Sequence, residues 1–406
     1  MSDKKLRIGV WLTNNYKPII GGGFGYYEKI INELKLIKHD KFELIFISYK
    51  IDKSYFKNNI TYTINRKKPF LLFSFGLNFI LTLFFKHIFK VTGLSLKNNF
   101  SYVDKQISKQ LKSVIDIIYY PIPLPYDQLF NFPFIYTLWD LGHLSTYPFP
   151  ELSMNGVFEN RHNDHISILN KAIFVCTESK YGKKQLIEKF NLNEEKIRII
   201  PIFPSTIVES SINPVKPNQI QETDFFIHYP AQFWAHKNHY NLLLAIKTLI
   251  NKFPHLKLIL SGSDKGNLKY ILSLIKELNL EQNVIYLGFI SNNELKWLYL
   301  NSQGLVMPTF LGPTNMPLLE AAYLNCKVAC TDMPGHREQL GDYAFYFNPA
   351  NPENIASCIE NMILKDKLNI NFQSQFNIQN AVNNLATCFE DVIPIRRCWG
   401  NFDKIF

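Results

Sequence analysis

A chain of 406 residues, 47% hydrophobic and 15% aromatic, is about twice the usual single-domain length and can bury two cores, which excludes a disordered protein. Its formal charge of +10 sits in one half: residues 1–205 hold 28 Lys and Arg against 17 acids, residues 206–406 hold 16 against 17. The basic density peaks from Arg66 to Lys112, with nine basic side chains and the single acid Asp104; this suits anionic lipid, an acidic glycan or a pyrophosphate-linked acceptor, and with no zinc-finger spacing or RNP-like string no nucleic acid is expected.

In chain order, MSDKKLRIGVWLTNN has an apolar run too short for a signal peptide and no small-residue cleavage site, so it reads as a first strand, Leu6–Leu12. The loop NNYKPIIGGGFGYYEK leads into a helix near Tyr26–Ile37. Gly21, Gly22 and Gly23 allow a tight turn and a close backbone approach to a ligand, with helix donors behind them. The string is not the spaced GxGxxG of a dinucleotide fold. PFLLFSFGLNFILTLFF (69–85) is a nearly uncharged stretch of 17 residues between RKK and KHIFK, at the short limit for a bilayer. Spanning would divide one domain between two sides of a membrane. The segment is therefore expected to lie on the membrane surface, or to pack as an amphipathic helix into its own domain. With the basic face of residues 66–112 it predicts peripheral contact with the inner face of the plasma membrane.

Strand-like runs follow at Ile115–Tyr120, Phe134–Leu138 and Ala172–Cys176, and RIIPIFP closes the first domain, placed at 1–204. Ser205–Thr223 reads as a linker. Asp140 and His143, in DLGH, fall at the carboxyl end of a strand, where ligands sit in such sheets. The histidines of RHNDHI (161–166) and HKNH (236–239) offer no three-ligand metal set and read as helix-surface groups. The chain contains no D-x-D string, so no metal and no cofactor is expected, and diphosphate charge would fall to side chains and backbone donors. Six cysteines without a CxxC pair fit reduced thiols in a cytoplasmic protein.

The segments 229–246, 256–278 and 283–310 each run from a short apolar stretch through a polar turn into a helical pattern. That is the rhythm of βα units and of an α/β, doubly wound, Rossmann-like domain at 224–380, with 381–406 left as a final helix. In PTFLGPTNMPLLEAAYLNCK (308–327) a glycine-containing loop meets a helix start. Pro317 suits the first helical position, and Glu320 then falls in the first turn among unpaired N–H donors. Such donors favour phosphate, and a carboxylate beside them can accept from two ribose hydroxyls. A capped core helix whose Glu320 complements the dipole is the other reading.

QFWAHKNH, GPTNMPLLEA and GHREQLGDYAFYFNP (335–349), in this order and spacing, make the chain resemble the retaining, nucleotide-sugar-dependent GT-B glycosyltransferases of the group 1 or family 4 type, particularly bacterial mannosyltransferases of surface-polysaccharide synthesis. The resemblance implies two Rossmann-like domains facing a cleft, residues 381–406 crossing back to the first, and transfer of a hexose from a GDP- or UDP-sugar to a glycan or lipid-linked glycan. It places Lys237 on the donor diphosphate and Glu320 on the ribose. Gly22 and Gly23 would face the phosphates, Gly262, Phe289 and Ile290 the base and ribose, and Gln232, Gly312, Thr314, Asn315 and Met316 the rest of the donor. His143 would contact the sugar or acceptor, with Asp140 orienting it or assisting the acceptor hydroxyl. Glu338 matches a position that stabilises loops near the diphosphate. Three positions depart from the pattern: Gly312 stands where many relatives have a sugar-contacting glutamate, Gln232 where they have a basic residue, and Trp139 where they have a histidine. A sugar-nucleotide epimerase and a catalytically silent sugar-binding scaffold are the alternatives.

Overall fold

The computed structural model describes residues 5–13, 22–49, 61–64, 102–144, 149–366, 372 and 374–399. The aromatic segment 69–85, the basic stretch up to residue 101 and Gly21 lie outside the described residues.

Two parallel sheets organise the chain. The first contains β1 (Leu6–Trp11), β2 (Phe42–Tyr49), β3 (Tyr62–Ile64), β4 (Ile117–Tyr120), β5 (Phe134–Thr137), β6 (Phe174–Thr177) and β7 (Ile197–Ile199), in the order β3-β2-β1-β4-β5-β6-β7. The second contains β8 (Phe225–Pro230), β9 (Leu256–Ser261), β10 (Val284–Tyr286), β11 (Leu305–Met307), β12 (Val328–Thr331) and β13 (Phe345–Phe347), in the order β10-β9-β8-β11-β12-β13. IIYY in β4 and VACT in β12 are buried at every residue, as helices on both faces of a parallel sheet require. Strand order reverses between β1 and β4 and again between β8 and β11. At such points neighbouring loops leave in opposite directions and open a crevice at the carboxyl ends of the strands.

The helices are α1 (Gly22–Leu36), α2 (Tyr102–Val114), α3 (Pro150–Ser153), α4 (Val157–Lys171), α5 (Lys180–Phe190), α6 (His239–Leu249), α7 (Leu268–Glu277), α8 (Asn292–Asn301), α9 (Met316–Tyr323), α10 (Pro334–Leu340), α11 (Pro352–Leu364) and α12 (Ile378–Cys398). Some boundaries differ from the sequence reading for local reasons. The strand expected from Ile115 starts at Ile117, because Ile115 N–H still bonds Leu111 and Asp116 turns its carboxylate to Arg7. The strand expected from Ala172 starts at Phe174, because Ala172 N–H still closes α4 on Ile168.

Helix α12 belongs to the first core, where Leu385, Cys388, Phe389 and Val392 are fully buried. Phe389 meets Phe42 and Tyr119 edge-on at ring separations of 5.5 and 5.4 Å. Arg198 pairs with Asp391 at 2.9 Å on its flank. In the segment after the first sheet, Ile207 is buried in the second core, and Val215 N–H bonds the Asn293 carbonyl of α8.

Candidate functional site in the cleft

A cleft of about 770 Å³ opens where the carboxyl ends of the two sheets face each other. From the second sheet it is lined by Gln232 and Lys237 after β8, Gly262 after β9, Phe289 and Ile290 after β10, and Gly312, Thr314, Asn315, Met316 and Glu320 around the start of α9. From the first sheet come Gly23, Trp139, Asp140 and Glu178. Gly22 is the first residue of α1.

The loop carrying Lys237 is fixed by backbone-directed bonds. Asn238, at φ 60°, donates its amide to the carbonyls of Pro308 and Pro349 at 2.9 and 2.8 Å. The Tyr229 hydroxyl donates to the Lys237 carbonyl at 2.9 Å. Nζ of Lys237 reaches Asn315 Oδ1 at 3.5 Å, and among the described residues it makes no ion pair. Burial therefore lowers its pKa to about 8, with Asp140 opposing the shift.

Asn315 is oriented from behind. The Thr331 carbonyl can only accept, so His336 carries its proton on Nδ1, 2.8 Å away. Its Nε2 then accepts from Asn315 Nδ2 at 2.8 Å, which turns the amide oxygen toward Lys237. Burial lowers the His336 pKa to about 4 and keeps this ring neutral. Gln339 accepts from Asn315 N–H at 2.9 Å and donates to its carbonyl at 3.1 Å. His336 and Gln339 went unnoticed in the sequence reading, although both stand in the GHREQ string.

Two glycines are required by geometry. Gly262, at φ 144°, would place a Cβ 2.1 Å from the Ala231 carbonyl oxygen, and Gly312, at φ 110°, would place one 2.9 Å from Asn315 Nδ2. A glutamate at position 312 is thus strained in this loop. Gln232 bonds Trp234 Nε1 at 3.1 Å, and Phe289, 56% exposed, offers an open ring face at the cleft.

Glu320 requires a correction. α9 starts at Met316 with Asn315 at its cap, so Pro317 is the second helical residue and Glu320 lies just beyond the first turn. Its carboxylate is buried and accepts from the Ser205 hydroxyl and from the Tyr299 hydroxyl at 2.9 Å. Burial raises its pKa while both hydroxyls oppose the rise. The Ser205 backbone N–H opposes the rise as well, so of about four lone-pair positions one remains for a ligand.

On the opposite wall Asp140 accepts from Gly142 N–H at 2.6 Å and from Arg161 Nη2 at 2.7 Å. Burial opposes its ionisation, but Arg161 and the Gly142 N–H, with a smaller part from His165, together outweigh burial and hold its pKa below the usual value. His143 does not line the cleft. It is buried behind it, with its ring 5.0 Å from that of His165 and 5.7 Å from that of His162, and burial followed by Arg161 lowers its pKa to about 4. The surface reading of the other histidines is also corrected. His165 and His239 are buried, His239 stacking on Phe233 at 4.3 Å, and His236 pairs with Glu151 of α3 at 2.8 Å. No group of three or more His, Cys, Asp or Glu able to hold a metal occurs among the described residues.

Contacts also tie the walls together. The Thr314 hydroxyl donates to Glu178, and Glu338 of α10 accepts from the N–H groups of Lys180 and Tyr181 at 2.8 and 2.9 Å. No helix among the described residues is long and apolar enough to cross a membrane.

Residues 213–377 match the family described as Glycosyl transferases group 1. Among curated proteins, the O-antigen chain mannosyltransferase RfbU of Salmonella typhimurium is 27% identical over 191 residues, 46% of this chain and 50% of that protein. The N-acetylgalactosamine-N,N'-diacetylbacillosaminyl-diphospho-undecaprenol 4-alpha-N-acetylgalactosaminyltransferase of Campylobacter jejuni is 31% identical over 202 residues, 49% and 53% of the two chains. The chain thus spans about half the length of the curated relatives it matches. The solved structure of Anabaena HepE in complex with UDP superposes over 99% of this chain and 100% of its own, at 16% identity and a TM-score of 0.59. The two-sheet architecture is shared end to end with that structure, so the chain has the GT-B fold, and its residues 213–377 match the group 1 glycosyltransferases.

Proposed function

We propose that the chain transfers a hexose, with mannose favoured, from a GDP- or UDP-sugar to a hydroxyl of a glycan or lipid-linked glycan, with retention at the anomeric carbon and without a metal. The observation that carries this reading is Lys237: a largely desolvated ammonium without a carboxylate partner among the described residues, held beside the start of α9. Together with backbone donors, that charge suits a diphosphate leaving group. Glu320 would accept from the ribose hydroxyls, and Phe289 would stack on the base. In the transfer, the bond from the anomeric carbon to the phosphate oxygen breaks, the acceptor oxygen bonds the same face, and its proton passes to the departing phosphate oxygen. Closure of the two lobes would desolvate the diphosphate and align the acceptor. The donor type is supported by the UDP in the HepE structure, and a lipid-linked acceptor by the diphospho-undecaprenol in the Campylobacter protein's name.

The test is a thermal-shift screen of UDP, GDP, ADP and their sugars, followed by product analysis with a lipid-diphosphate glycan acceptor. A raised melting temperature with one nucleotide family, and an axial-retaining product formed in EDTA, are the expected results. No shift with any nucleotide would overturn the reading, and binding without transfer would favour a silent sugar-binding protein. Peripheral location at the inner membrane face through residues 66–112 is part of the proposal. Neutralising Arg66, Lys67, Lys68, Lys86 and Lys90 should release the protein from anionic vesicles, each charge being worth about 1 kcal/mol there; unchanged sedimentation would sink it.

A further inference from the structure

We propose that Glu178 is a specificity-determining residue whose carboxyl group hydrogen-bonds a hydroxyl of the hexose on the donor nucleotide. The inference rests on the donor-site reading above and deepens it.

Glu178 is the first residue beyond β6, at the carboxyl edge of the first sheet, and it precedes Ser179, whose hydroxyl caps α5 by accepting from Gly182 N–H at 3.0 Å. Local sequence therefore explains Ser179 and leaves Glu178 without a structural task of its own. Its side chain is 6% exposed yet lines the cleft. The bond that holds it comes from the other lobe, from the Thr314 hydroxyl. Among the described residues no lysine, arginine or histidine forms an ion pair with it.

Three features select a sugar hydroxyl as its ligand. An ionised carboxyl would repel phosphate and a protonated one carries no charge to attract it, so Glu178 suits the uncharged end of a sugar nucleotide. Thr314 is adjacent to Asn315, which touches Lys237; a sugar attached to a diphosphate at Lys237 would therefore lie beside Glu178. The loop directly opposite offers no side chain at Gly312, where φ 110° disfavours one.

The electrostatics agree. Burial, reinforced by the Asp140 charge, raises the Glu178 pKa to about 8 against the opposing Thr314 bond, whereas Asp140 is held ionised by Arg161. At neutral pH the Glu178 carboxyl is protonated, and a protonated carboxyl can both donate to and accept from a hydroxyl. Two neighbouring carboxyl groups with pKa values pushed apart mark distinct roles.

Titration calorimetry on the full chain, with UDP, UDP-glucose, GDP and GDP-mannose as probes, tests the inference. Glu178→Ala should weaken the sugar nucleotide that the wild type binds by roughly tenfold, with the free nucleotide unchanged. Glu178→Gln, of the same shape and able to donate and accept, should keep part of that affinity and guards against a folding defect. Unchanged sugar-nucleotide affinity in both variants would overturn the proposal. Equal losses for free and sugar-bearing nucleotide would also overturn it, since they would reduce Glu178 to a tie between lobes. A wild type that binds none of the four probes would instead remove the donor-site reading itself.

Discussion

The two walls of the cleft differ in charge and in construction. The wall of the second sheet is built from loops at the ends of adjacent strands and carries the cation Lys237. The wall of the first sheet carries the carboxyl groups of Asp140 and Glu178. A cleft with an ammonium on one side and carboxyl groups on the other suits a ligand that is anionic at one end and rich in hydroxyls at the other. Each of these groups costs folding free energy through desolvation. Their presence in one cavity therefore argues for ligand recognition more strongly than any of them alone.

Removing the cation should break this comparison most completely. Lys237→Ala is expected to lower turnover by about 10²–10³, the range found when one charge-stabilising donor is lost. The melting temperature should not fall. The native pKa of about 8 lies below the ordinary 10.5, so between those values the unfolded chain binds more protons and wild-type stability rises with pH. That rise should vanish in the variant. Wild-type turnover, or a pH profile of melting that the substitution leaves intact, would return Lys237 to an ordinary surface lysine.

Glu320→Gln tests the end of the same wall that would hold the ribose. It keeps the shape and removes the charge and one acceptor oxygen, so free-nucleotide affinity should drop by roughly one to two orders of magnitude, equivalent to about 1.5–3 kcal/mol. Melting should fall as well, because the Ser205 and Tyr299 hydroxyls both rely on that carboxylate. A lowered melting temperature with unaltered nucleotide affinity would leave Glu320 as a structural group only.

The walls also differ in how far the sequence exposed them. QFWAHKNH and GPTNMPLLEA place a loop and a helix start within one short string, so the second wall could be read locally. The one-residue shift of α9 could not, because Asn315 is braced by His336 and Gln339 from more than twenty residues downstream. Glu178 was invisible for a stronger reason: its partner Thr314 lies 136 residues away, and TESK reads only as a helix cap. His143 sits where a strand-end histidine was expected, yet the packing of α4 places His162 and His165 against it and keeps it from lining the cleft. The fold itself was legible because fully buried strands and βα alternation are local, repeated signals.

Gly312→Glu sharpens the contrast between the loop here and the glutamate-bearing version. Position 312 has φ 110° and a Cβ site crowded by Asn315, so the substitution should cost about 1–3 kcal/mol of stability and improve no sugar-nucleotide affinity. A variant that melts normally and binds its donor more tightly would show that the loop accepts the glutamate geometry after all.

The smallest expected effect concerns how the walls are joined. Glu338 reaches from α10 to the first-turn N–H groups of Lys180 and Tyr181 in α5. α10 is in turn locked to the GPTN loop, since a Cβ on Gly335 would fall 1.6 Å from the Pro313 carbonyl oxygen. A displacement of α5 relative to α10 is thereby transmitted to the loop that carries Thr314 and Asn315. Glu338→Ala frees two helix donors that water can satisfy, and should cost about 1 kcal/mol, in the range of a lost cap. Because the bond joins the lobes, the variant should raise the KM for the sugar nucleotide while the affinity for free nucleotide, which the proposed donor site assigns to the second lobe, stays as it was. Equal weakening of both would mean that Glu338 supports only the second lobe. An unchanged KM would mean that the walls hold their spacing without it.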